Sequence, residues 1–377
     1  MVYGPWPIDL HFFGGSLIGT TLPSTAGQQV GADFSFKELR DRIHACLEEN
    51  NLQLKGSWKM WRKAIFIAIS WILVYSAIMI YGPESFWVAV PLTLVLVVFT
   101  LAMGLGVMHD ASHRAFSGSK VLNNIANLTL TFVGGSTIVW YHDHVVSHHG
   151  HTNIPGQDPD IHTNGIFRFS PSDEYRWYHR FQHLYAAPLY CTKALIWVWY
   201  EDMNIFANNK YKLRRKRRFM LFIEILASRA SHIMLFILVP YLVFQSWAWT
   251  AAFYLGHWLL FSLSMVLIFE VAHVADCQEF YPEQDKLELD WALHQLLTTA
   301  NFKTNAFMVW LVGGLNQQIE HHIFPTMTSI HYPLIRPIVM DYAKEHGVPY
   351  LEYPMFRASL AAHFRHLKNL SKRPAAA

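Results

Sequence analysis

Two apolar runs, AIFIAISWILVYSAIMIYG (residues 64–82) and FWVAVPLTLVLVVFTLAMGLGVM (residues 86–108), stand either side of Pro83-Glu84-Ser85 and decide the fold. Each is long enough for a helix to cross a hydrocarbon layer of about 30 Å, which takes roughly 20 residues. The three residues between them leave room only for a tight hairpin, so the outer ends of both runs emerge on one side. Lys59, Arg62 and Lys63 precede the first run, and cations flanking a span mark the cytosolic side. Directly after the second run comes His109-Asp-Ala-Ser-His113.

A second apolar pair follows at residues 227–245 and 247–269. Its start is blurred by Glu224, Arg229 and His232, and Arg229 is expected to snorkel at the inner end of the third span. The basic run KYKLRRKRR (residues 210–218) stands before this pair, again a cytosolic marker. Between the pairs, residues 122–139 suit a short membrane-skimming helix, and residues 184–206, rich in Tyr and Trp, suit an interfacial one. Residues 36–50 place Leu39, Ile43 and Leu47 on one face of a short amphipathic helix, on which His44 reads as a surface or packing residue. The chain divides into a cytosolic N-terminal tail (residues 1–57), a membrane domain (58–365) and a disordered tail (366–377). No cleavable signal peptide is visible at the start. The expected fold is an all-α integral membrane protein: four transmembrane helices under a cytosolic helical cap.

Composition narrows the classes. Lys+Arg number 30 and Asp+Glu 27, a net charge of +3, without the basic excess of a nucleic-acid binder. Charged residues are 15% of the 377 and hydrophobic ones 52%, against about 25% charged in soluble domains. Cys46, Cys191 and Cys277 are far apart, which argues against a disulfide framework or a zinc ribbon.

The 22 histidines are the anomaly. His109 and His113, four apart, share a helix face and offer two imidazoles to one site. His144-Val-Val-Ser-His148-His149 repeats the arrangement, flanked by His142 and His151, which are either further ligands or polar packing residues. Asp158-Pro-Asp160 reads in two ways, as carboxylates that hold the far nitrogens of ligand histidines or as a plain loop turn. The third cluster is Gln318-Ile-Glu-His321-His322, and His273 stands one turn beyond the fourth span. With four spans and cytosolic ends, all three clusters and His273 fall on one face. Eight converging imidazoles exceed the three or four ligands of a zinc site, and imidazole also suits iron. Two irons with open positions can use O2 against an unactivated CH2.

HDASH, HVVSHH and QIEHH resemble, in order and spacing, the three histidine boxes of the membrane fatty-acid desaturases. The surrounding TN-x4-DPDI (residues 152–161), TTANF (298–302), GGLN (313–316) and HHIFP (321–325) resemble that family too, over roughly residues 60–365. Gln318, where the third box often begins with His, is similar to the front-end branch, which desaturates between an existing double bond and the carboxyl end. FEVAH (269–273) adds likeness to the cyanobacterial Δ6 acyl-lipid type. The resemblance implies iron ligation by His109, His113, His144, His148, His149, His273, His321 and His322, with Gln318 at a ninth position. It implies a fatty acyl lipid or acyl-CoA as substrate and O2 as co-substrate. The H-x3-HH spacing departs from the H-x2-HH of many relatives. No HPGG haem motif is present, so electrons are expected from a separate ferredoxin or cytochrome b5. The membrane would be the endoplasmic reticulum in a eukaryote, or the plasma or thylakoid membrane in a bacterium. The rivals are a sphingolipid Δ8 desaturase or lipid hydroxylase on the same scaffold, a membrane zinc hydrolase, and a metal transporter. The last would need ligands inside the spans, where only His232 and His257 lie.

Overall fold

The computed structural model describes residues 33–281 and 289–373. Four long helices are apolar enough to cross a membrane: Trp58–Glu84, Phe86–Ser112, Arg215–Phe244 and Trp247–His273. In their most apolar windows only 17%, 28%, 22% and 33% of residues are buried within the protein. Ile72, Leu73, Ile80, Val95 and Leu242 instead point outward, as side chains facing lipid do. The interior of the bundle is aromatic. Trp71 stacks on Tyr75 and packs edge-on to Phe236. Its indole N–H donates to Thr100 Oγ1 at 3.0 Å, and Tyr75 Oη donates to Leu235 O at 2.5 Å.

The hairpins form where expected. Ser57 Oγ accepts from the Lys59 amide at the start of the first span, and Ser246 Oγ from the Trp249 amide at the start of the fourth. Gly82–Glu84 makes one tight turn and Gln245, at φ +49°, the other. The ends at Trp58, Ser112, Arg215 and His273 therefore lie at one end of the bundle.

The third span begins well before residue 227, because its charged residues are satisfied internally. Glu224 accepts from Ser136 Oγ and from the Thr137 amide, at 3.0 and 2.7 Å, and so caps the helix Thr137–Trp140. Arg229 does not snorkel: its guanidinium donates to Gly134 O at 2.8 Å and to Asp202 at 3.2 Å. The tracts between the pairs break into shorter pieces than expected, Lys120–Asn127, Thr129–Val133 and Thr137–Trp140 in one, Gln182–Tyr190 to Asp202–Asn208 in the other.

Over the common end lies a helical cap. Leu39, Ile43 and Leu47 of the helix Phe36–Glu49 are all buried, in a core with Leu296, Ile319, Ile335, Val339 and Tyr342. That helix is part of the cap rather than of a free tail. The one exception to the all-α expectation among the described residues is a short parallel pairing of Asn301–Phe302 with Glu352–Tyr353. The final helix, Phe356–Leu370, buries His366 and Leu367, so order continues into the segment expected to be a tail. Most of the expected N-terminal tail and residues 374–377 lie outside the described residues.

Candidate metal centre

The first box is turned inward by a wide helical turn. Gly104–Met108 forms a π-helix, in which the His109 amide donates to Gly104 O. Such a turn holds one residue more than an α-helical one and rotates everything after it. His109 and His113 follow, both buried, with rings 4.9 Å apart.

The second box lies on a longer π-helical stretch, Tyr141–His148. Hydrogen bonds that run i→i+5 stack residues four and five apart, so the i, i+4, i+5 spacing puts three imidazoles on one side. The rings of His144 and His148 stack at 5.2 Å, and His149 meets His144 edge-on at 5.0 Å.

The third box is a short helix, Gln318–Ile323, whose adjacent histidines diverge by 84°. His321 turns to His109 and His113, at 4.4 and 4.9 Å between ring centres. His322 turns to His273 and His148, at 4.7 and 4.9 Å. His149 stands between, 4.7 Å from His321 and 4.3 Å from His322. A close backbone approach holds this helix against the first box. Gly313 sits at φ +66°, and a Cβ there would come within 2.3 Å of Leu105 O. Only glycine fits that position without strain.

The imidazoles thus fall into overlapping sets: His109, His113, His144 and His321; His148, His273 and His322; and His149 with His321 and His322. Within each set the possible ligand nitrogens lie within 4.8 Å of one another. His144, His148 and Asp160 form a further set at the rim. All eight predicted histidines come together. His142 and His151 do not join them: His142 stacks on Tyr211 at 4.5 Å, and His151 Nδ1 lies 3.2 Å from Ser147 O. Gln318 is buried beside the third box with its Oε1 unpartnered.

These residues fit a bound cation. Buried polar atoms ordinarily find a hydrogen-bond partner. Here Nε2 of His113, His148 and His322 and both nitrogens of His273 are buried without one. His109 Nε2 and His144 Nε2 approach to 3.0 Å, as do His149 Nε2 and His321 Nε2. Nitrogens crowded around common points are the donor set of a metal site, and they outnumber what one tetrahedral ion takes.

The outer nitrogens are held. His148 Nδ1 is 3.0 Å from Asp158 Oδ1, and Asp158 is held in turn by the Asn153 amide at 2.9 Å. His322 Nδ1 donates to Gln295 Oε1 at 2.8 Å, which also accepts from Thr152 Oγ1 at 2.9 Å. His321 Nδ1 is 3.1 Å from the Tyr332 hydroxyl, which itself donates to Met327 O. With Nδ1 engaged as a donor, Nε2 keeps its lone pair for metal. Burial drives His113, His149, His321 and His322 well below the ordinary imidazole range, so they are neutral. His148 differs. Burial opposes its charge, but Asp158 and Asp160 outweigh burial and raise it to about 9. The same carboxylates favour a cation at its Nε2.

Several residues of the site were not singled out from the sequence. Gln295 and Tyr332 carry no local signal. Asp110 and Glu320 sit inside boxes one and three. Asp110 accepts from the amide and hydroxyl of Ser329, both at 3.0 Å, tying the end of the second span to the cap. Glu320 accepts from Asn301 Nδ2 and Tyr350 Oη, at 2.8 and 2.7 Å, which fixes the helix bearing His321 and His322.

The fatty acid desaturase family model matches residues 85–354. The chain is 32% identical to an sn-1 linoleoyl-lipid 6-desaturase of Arthrospira platensis over 367 residues, 95% of this chain and 97% of the relative. It is 32% identical to the enzyme of the same description from Synechocystis, covering 89% of this chain and 94% of the relative. It is 31% identical to an acyl-lipid (8-3)-desaturase of Physcomitrium patens, covering 88% and 70%.

Proposed function

The chain belongs to the fatty acid desaturase family of oxidoreductases, and on that premise we propose that it is a front-end acyl-lipid desaturase with a two-iron centre. The observation that carries this reading is the convergence of eight buried imidazoles at the common end of four membrane helices. The 6-desaturase descriptions of two relatives support the position of the new bond, and the (8-3) and Delta(5) descriptions of others keep a Δ5 outcome in view.

His109, His113, His144 and His321 would hold one iron and His148, His273 and His322 the other, with His149 between them. Gln318 would stand at a ninth position, as a weak ligand or the holder of a water. The iron pair supplies the oxidising power of O2 to break two C–H bonds of an unactivated CH2–CH2 unit. The overall change takes two hydrogens from the acyl chain and, with two electrons and two protons, reduces O2 to two waters. Electrons would come from a separate ferredoxin or cytochrome b5.

The protein's own share is positioning and shielding. Asp158, Gln295 and Tyr332 set the direction of His148, His322 and His321. The apolar spans below the site keep water from the reacting carbons. We place the cap on the cytosolic side, because Lys59, Arg62 and the 210–218 run flank the capped end. Residues 58–365 remain our desaturase domain, with the helix Phe36–Glu49 of the lead segment 1–57 packed into its cap and the first residues of the final segment 366–377 completing its last helix. The membrane would be the endoplasmic reticulum of a eukaryote or the plasma or thylakoid membrane of a bacterium.

The test is fatty-acid analysis by gas chromatography–mass spectrometry of cells expressing the chain and fed linoleic or α-linolenic acid, with a His321→Ala variant alongside. A new double bond on the carboxyl side of the existing one, absent in the variant, is expected. A hydroxylated product, or a product only on sphingoid bases, would overturn the front-end reading. Purified protein holding a single zinc, with lipid hydrolysis that does not need O2, would overturn the oxidative one.

A further inference from the structure

Beside the histidine boxes lies a cavity of about 1100 Å³ whose lining includes Trp58, Lys59, Arg62, Lys63, Phe66 and Trp310. Lys59, Arg62 and Lys63 stand at i, i+3 and i+4, so the first turns of the first span present three cations to one side. Lys59 and Arg62 stand at the mouth, outside the protein core. Lys63 is 3% exposed, yet it lines the cavity. Among the described residues no carboxylate pairs with its amine and no hydrogen bond forms to it. Its neighbours are the face of Trp310, 5.5 Å away, and Gly106, where a Cβ would lie 2.8 Å from Nζ. Asp110 attracts the Lys63 amine electrostatically without forming an ion pair, and the Asp110 Oδ2 accepts from Thr328 and Ser329.

An ammonium this deep normally has a partner, because burying an unpaired charge costs several kcal/mol. The cavity that Lys63 lines is where a partner can reach it. The position narrows the ligand. Trp58 is 68% exposed where the span leaves the bilayer, and Phe66, two turns further along, faces outward into lipid. The cavity therefore sits at the depth of lipid phosphates and glycerol esters, where interfacial aromatics and cations collect. Its lining reaches toward the third box: Gly314 and Gln317 belong to the turn that leads into it, and Gln317 directly precedes Gln318.

We infer that Lys59, Arg62 and Lys63 form the recognition site for the phosphate-bearing head of a bilayer glycerophospholipid whose acyl chain is the substrate. The cavity selects the acyl carrier: an anionic phospholipid is held, and a neutral glycolipid has nothing to pair with Lys63. The inference rests on the desaturase reading for the use of the bound lipid, but not for its binding.

Lipid binding to the purified protein, read by native mass spectrometry, tests it without turnover. Dioleoyl phosphatidylglycerol, monogalactosyl diacylglycerol and oleoyl-CoA would compete for the detergent-solubilised protein. Phosphatidylglycerol is expected to exceed the galactolipid by about tenfold, the worth of one charge-assisted hydrogen bond. Lys63→Met should abolish that preference, Lys63→Arg should keep most of it, and Arg62→Gln should lower it about threefold, as a solvent-exposed charge would. Iron content and gel-filtration profile show whether each variant is folded. If Lys63→Met is not, the Lys63→Arg and Arg62→Gln proteins carry the test. Equal binding of the galactolipid, or an unchanged preference in a folded Lys63→Met protein, overturns the inference. Oleoyl-CoA outcompeting phosphatidylglycerol overturns the bilayer source and moves the phosphate to a soluble carrier. Because no product is measured, either result leaves the desaturase reading standing. Absence of product with the lipid preference intact would sink that reading alone.

Discussion

The second and third histidine boxes do the same work by opposite electrostatics. In the second, His148 is backed by the Asp158 carboxylate at 3.0 Å, with Asp160 3.4 Å away. In the third, His321 is backed by the neutral Tyr332 hydroxyl and His322 by the neutral Gln295 amide, at 3.1 and 2.8 Å. Both arrangements fix the ring and free Nε2. Only the first adds negative charge, and it leaves His148 the one strongly basic imidazole of the cluster. A carboxylate raises the donor strength of its histidine as well as orienting it, whereas a hydroxyl or amide chiefly orients. The two halves of the site should therefore respond unequally to loss of their supports.

The largest effect should come from removing a donor at the junction of the sets. His321→Ala opens the set of His109, His113 and His144 and also unpairs His149. Iron content of the purified protein should fall by roughly half or more, as one of the two proposed iron positions loses a donor, and product should drop below detection. A variant that retained both irons would break the assignment. Next comes Asp158→Asn, which keeps shape and removes charge. Metal affinity should fall about 10- to 100-fold, measured by chelator competition. Tyr332→Phe removes only a neutral hydrogen bond, and should weaken metal retention by about 2- to 10-fold, the worth of roughly 0.5–1.5 kcal/mol. If Tyr332→Phe costs as much as Asp158→Asn, charge is not what separates the boxes. The smallest effect is the coupling between them. Asp158 and Tyr332 share no partner, so the double variant should be additive to within about 0.5 kcal/mol, and a larger deviation would show that the two halves act as one unit.

The same division runs through what could be read from the chain. The hairpin at residues 83–85 and the histidine spacings were legible because both are local: span length and side-chain periodicity are properties of consecutive residues. The start of the third span was not legible. Its acidic and basic residues are neutralised by Ser136, Thr137, Asp202 and Gly134, up to 95 residues away. Gln295 was missed for the same reason, since its meaning depends on Thr152 and His322 arriving from other elements. The helix Phe36–Glu49 was read correctly as amphipathic, but its partners in the cap lie some 250 or more residues on in the chain.

The order of residues was enough for the four membrane helices, the family and the identity of the eight imidazoles, because hydrophobic length and motif spacing act over a few turns of chain. It took packing in three dimensions to settle which imidazole faces which, which are backed by charge, and that Lys63 is buried at the wall of a cavity. Those outcomes depend on π-helical turns that rotate the boxes and on the close approach at Gly313. Both are choices that local sequence leaves open and that packing makes.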